Sequence, residues 1–76
     1  MRSYLVRIAD FDIQGTPKDP NTVPARKGTQ YTRTSTSTRR AVEELFKDFK
    51  FARGKYAVWC KERLNSEEWE VFNVTV

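Results

Sequence analysis

Few side chains in this sequence are suited to covalent chemistry. There is no histidine, which removes the usual general base, the commonest metal ligand and any Ser–His or Cys–His pair. The one cysteine, Cys60, follows Val58 and Trp59 in an apolar run. A reactive thiol needs an electropositive, accessible setting, so a thiol inside an apolar strand is read as structural. Asp10 and Asp12 share a strand face, but two carboxylates alone are a weak metal signal and solvated strand-end charges account for them. No glycine-rich phosphate loop of known spacing is present. Neither catalysis, a metal nor a cofactor is expected.

The charge pattern points to binding. The chain carries 14 Lys and Arg against 10 Asp and Glu, a net charge of +4. Residues 13–40 hold Lys18, Arg26, Lys27, Arg33, Arg39 and Arg40 with Asp19 as the single acid, so the excess charge lies in one connecting segment. Localised charge says more about partners than net charge does. Hydroxyl side chains stand between these cations, and Arg, Lys, Ser and Thr are the usual contacts to phosphate oxygens. Tyr31 sits among them as a ring for base stacking. Arg39 and Arg40 fall in the first turn of a helix, where the dipole disfavours cations but free N–H groups attract an anion. An acidic protein surface attracts the same arm. The alternative is a solvated loop whose charge serves solubility.

The elements that position these residues follow from periodicity. Ala41, Val42, Leu45, Phe46, Phe49 and Ala52 recur at three- and four-residue steps, which predicts a helix over 37–53 with Leu45, Phe46 and Phe49 buried. Thr36 or Ser37 suits its N-cap, and Gly54 its end. Alternation of Tyr4, Val6 and Ile8 predicts a strand over 2–13, with a bulge near Ala9 or Asp10 to re-aim Phe11 and Ile13. Residues 14–36 hold all three prolines and read as a long arm, with a short edge strand or an exposed Ser/Thr linker at 29–35. Residues 55–64 and 67–76 read as a β-hairpin about an Asn65-Ser66 turn. A two-residue turn there sets Trp59 opposite Phe72, Ala57 opposite Val74, Lys61 opposite Glu70 and Arg63 opposite Glu68.

The chain is thus expected to be one α+β domain, a small antiparallel sheet of three to four strands with one α-helix packed across one face. A βαβ crossover, which needs parallel neighbours, is the disfavoured arrangement. One helix covers one face, so Tyr56, Val58, Trp69 and Val71 on the outer hairpin face form a second candidate interface, for a protein partner or a homodimer. The alternative is that the first strand and arm fold back over it. No apolar run reaches membrane-spanning length and no secretion pattern opens the chain, so a cytoplasmic protein is expected. In size, single helix and small sheet the chain resembles the small early proteins of bacteriophages, some of which inhibit host enzymes or defence complexes. That resemblance rests on architecture and implies a host-cytoplasmic inhibitor. Two functions therefore stand side by side: a non-enzymatic module engaging nucleic-acid phosphates through 18–40, and an inhibitor using the same arm or the outer hairpin face. A virion or assembly component is a third.

Overall fold

A computed structural model describes residues 1–24, 28–64 and 68–76. Four strands and one helix follow in the order β1 (Arg2–Ile8), β2 (Gln30–Ser35), α1 (Thr38–Asp48), β3 (Lys55–Glu62) and β4 (Glu70–Thr75). The strands form one antiparallel sheet in the spatial order β2-β1-β3-β4, with the helix on one face. The shortest dimension, 20 Å, matches one helix laid on one sheet at about 10 Å per layer. β2 and β3 both run antiparallel to β1, so α1 joins two parallel strands with β1 inserted between them. The sheet stays antiparallel although the β2-α1-β3 path is a crossover; the two parallel strands are simply not neighbours.

The core is built from alternate strand positions. Val6 lies opposite Cys60 on β3 and Tyr31 on β2, and Ile8 lies opposite Val58. Tyr4, Val6, Val58 and Cys60 meet Ala41, Val42 and Leu45 of the helix, with Phe46, Phe51, Phe72 and Val74 packed around them. Ser37 caps α1, its hydroxyl accepting from the Arg40 N–H at 3.2 Å.

Three features differ from expectation, two of them boundaries. β1 ends at Ile8 instead of passing through a bulge. Ala9 adds one bond to the Ala57 carbonyl, and the chain then leaves the sheet, with Phe11 bridging Pro17 and Ile13 fully exposed. The helix ends at Asp48, not Arg53, because Phe49 is already extended (φ −113°, ψ 144°). The cause is the next ring. Phe51 stacks on Phe46 with centroids 4.3 Å apart, a meeting that five-residue spacing along a helix does not allow. Gly54 therefore ends no helix; at φ 153° it turns the chain into β3, and its backbone pairs with Val76 in both directions. Phe49, expected in the core, is half exposed at 49%.

The third difference is register. Trp59 lies opposite Val71, Val58 opposite Phe72, Tyr56 opposite Val74 and Cys60 opposite Glu70. The pairing is displaced by one residue, which turns every β4 side chain to the other face. A two-residue turn would leave an even number of residues between partners, and the observed pairs leave an odd number. The expected Asn65-Ser66 turn itself lies outside the described residues.

Candidate nucleic-acid interface

The arm does not present its cations as one stripe. Lys18 is exposed in the loop after β1, its backbone N–H bonded to the Asp10 carbonyl at 2.7 Å. Arg26 and Lys27 lie outside the described residues. Arg33 points to the helix side of β2 and forms an ion pair with Asp48, its side chain only 22% exposed. Tyr31 is half buried, with its ring between Phe49 (5.5 Å) and Phe51 (6.4 Å) and its hydroxyl donating to the Gly28 carbonyl at 2.8 Å. Two protein rings are thus already packed against Tyr31. Arg39 and Arg40 are exposed on the first turn of α1.

The helix start is a poorer anion site than its N–H groups alone suggest. A hollow there is lined by Ser37 and Thr38 together with Lys61 and three acids, Glu62, Glu68 and Glu70. Glu70 accepts from the Thr38 hydroxyl at 2.8 Å. Glu70 thus places a carboxylate beside the positive end of the dipole, where it repels an incoming phosphate.

The outer hairpin set separates in space. Tyr56 and Val58 lie on the helix side: Val58 is fully buried, and the Tyr56 hydroxyl donates to the Ala52 carbonyl at 2.6 Å. Trp69 and Val71 lie on the opposite side, where the loop after β1 folds over part of the sheet. The Trp69 indole N–H donates to the Asn21 side chain at 3.1 Å, and the Lys61 ammonium sits 4.7 Å from its ring centre. Arg7, buried at 8% exposure, donates to the Pro20 carbonyl at 2.7 Å and to the Val23 carbonyl. Val71 alone of the four stays largely open.

A sum of charge along the sequence overlooks a second group of cations. Lys47, Lys50, Arg53 and Lys55 are all exposed around the helix end, within nine residues whose single acid, Asp48, is tied to Arg33. The signal is present in the sequence, but acids spread over the rest of the chain, from Asp10 and Asp12 through Glu43 and Glu44 to Glu62, Glu67, Glu68 and Glu70, cancel it in the total. Among the described residues the ion pairs are Arg2–Glu62 and Arg33–Asp48, so Lys18, Arg39, Arg40, Lys47, Lys50, Arg53 and Lys55 pair with no described carboxylate. Other acids bond inward: Glu44 accepts from buried Ser35, and Asp12 accepts from the Gln14 and Thr16 N–H groups, each at 2.9 Å.

No family model, curated protein or solved structure matches the chain. Its chemistry is therefore read from its own side chains. Among the described residues no group of three or more Cys, Asp or Glu is placed to hold a metal ion, and no helix is long and apolar enough to cross a membrane.

Cys60 is fully buried and donates weakly to the Thr38 carbonyl, with sulfur and oxygen 3.7 Å apart. Burial, helped by the Glu70 charge opposite, pushes its thiol up from 9.0 to about 12. The folded state thus holds this proton more tightly than the unfolded chain. The resulting stability is fully present below the unfolded pKa of about 9 and is lost as pH rises toward about 12. Wild type should lose more stability than Cys60→Ala across that window in paired thermal melts. Equal pH dependence of the two would show that the thiol is not held in this way.

Proposed function

We propose that the chain is a non-enzymatic binding module whose exposed cations engage nucleic-acid phosphates. The observation that carries this reading is the unequal treatment of charge. Asp48 and Glu62 pair with arginines and Glu44 and Glu70 bond to hydroxyls, which leaves Glu43 as the exposed acid of α1 with no such bond, whereas Arg39, Arg40 and Lys47 of α1 and Lys50, Arg53 and Lys55 after it face solvent unpaired by any described carboxylate. Such cations can release phosphate counterions without first breaking an internal pair.

Affinity for DNA or RNA should therefore fall steeply with salt. Removing Arg39 and Arg40 together should weaken binding and flatten the slope of log affinity against log salt by roughly one to two units, about 0.9 for each duplex phosphate that is no longer neutralised. Folding should survive, since both side chains are exposed and oppose the helix dipole. Titrations of labelled single- and double-stranded oligonucleotides at two salt concentrations read this directly. An unchanged slope in the double variant would remove those two residues from the interface.

One feature supports the second reading, a protein target. β4 is an edge strand with no proline, lysine or bulge, and Val71 on it is 51% exposed. Beside it an open groove runs between α1 and β4, floored by Phe72 and Val74 and flanked by Arg39 and Glu43. Absence of binding to every nucleic acid at low salt and micromolar protein would end the first reading and promote this one, as an inhibitor or assembly partner.

A further inference from the structure

Phe49 is a large apolar side chain left half exposed at the C-cap of α1. Its ring is not loose. Tyr31 lies 5.5 Å away, Phe51 packs on Tyr31, Phe46 stacks on Phe51, and Tyr56 touches both Phe46 and Phe51. Phe49 is thus the solvent end of a cluster of five rings whose other members are half buried. The cations Lys47, Lys50 and Arg53 surround it in the chain and are exposed, and the acid next to it, Asp48, is engaged by Arg33. The one other exposed phenylalanine, Phe11, provides a contrast: its chain neighbours are two acids, Asp10 and Asp12, and the nearest cations in the chain are Arg7 and Lys18.

We propose that Phe49 is a stacking platform for an unpaired base, with Lys47, Lys50 and Arg53 holding the flanking phosphates, so that the protein prefers single-stranded nucleic acid. This deepens the reading given above and rests on it. A base has two apolar faces and a charged backbone, and an exposed ring anchored on Tyr31, with exposed cations close along the chain, offers a contact to each. A duplex buries its base faces and can use only the cations. An acidic protein segment would use the cations and gain little from a ring lacking a hydrogen-bonding group.

The test compares affinities of one labelled oligothymidine and a duplex of equal length for wild type, Phe49→Leu, Phe49→Trp and Phe11→Leu. Thermal melts confirm that each variant folds. Phe49→Leu keeps an apolar side chain and removes the ring. It should bind the single strand about 5- to 100-fold more weakly, the worth of one stacked base, and bind the duplex as wild type does. Phe49→Trp should bind the single strand at least as well, and Phe11→Leu should change neither. Equal loss on single strand and duplex, or no loss on either, would overturn the platform while leaving phosphate binding in place. Failure of wild type to bind either ligand at low salt would overturn both readings. Competition by polyglutamate as effective as that by unlabelled oligothymidine of equal charge would overturn the preference for a base.

Discussion

Leu45→Ala should remove about half of the stability of this domain. Leu45 is 1% exposed and is among the largest fully buried side chains, packed with Val6, Val58 and Cys60 beneath α1. Truncating such a residue costs about 2–5 kcal/mol, the sum of lost transfer energy and the cavity left behind. A chain of 76 residues has roughly 4–11 kcal/mol in total at typical values per residue. Phe49→Ala, by contrast, should cost about 1 kcal/mol, because half of that ring is already in water. Urea unfolding of the two variants side by side measures the difference. A larger loss from Phe49 than from Leu45 would mean that the helix presents a different face to the sheet.

That ordering reverses what the periodic stripe alone implies, for a physical reason. Ala41, Val42 and Leu45 are legible from three- and four-residue spacing because they pack against a neighbouring layer whatever its detail. Phe49 continues the same spacing, yet the helix stops one residue before it. Helix length here is decided by Phe51 returning to Phe46, a contact that depends on the chain after the helix and leaves no periodic trace.

β4 resists sequence reading for a related reason. Val71, Phe72 and Val74 place apolar residues on both phases of the strand, so alternation favours neither face. Turn length then decides, and turn residues constrain length weakly. β1 is easier. Tyr4, Val6 and Ile8 alternate cleanly and their face is the buried one. The antiparallel α+β class needs only element types and order, which is why it is readable where the hairpin register is not. The candidate site is the least legible part. A cation is exposed, paired or buried according to long-range neighbours: Asp48 for Arg33, the loop carbonyls for Arg7.

Arg7 is the clearest such case, and its replacement should have the second large effect. Strand alternation places it on the face away from the helix, where a cation ordinarily meets solvent. The loop after β1 covers it instead, and its guanidinium holds the carbonyls of Pro20 and Val23. Hydrogen bonds from a charged donor contribute about 1.5–3 kcal/mol each. Removing a buried charge returns part of that sum as relieved desolvation. Arg7→Met, which keeps the apolar stem, should therefore destabilise the domain by about 2–3 kcal/mol. It should also loosen the loop more than the sheet, because the sheet retains its β1–β2 and β1–β3 pairing. Trypsin attack at the exposed Lys18 should accelerate in the variant under conditions where the sheet stays folded by circular dichroism. Trp69→Phe offers a calibration. It keeps a ring near Lys61 but loses the neutral bond to Asn21, worth about 0.5–1.5 kcal/mol, so its effect on cleavage should be smaller. Equal cleavage of wild type and Arg7→Met would place the hold on this loop in Trp69 and Asn21, at its rim, instead of in the guanidinium beneath it.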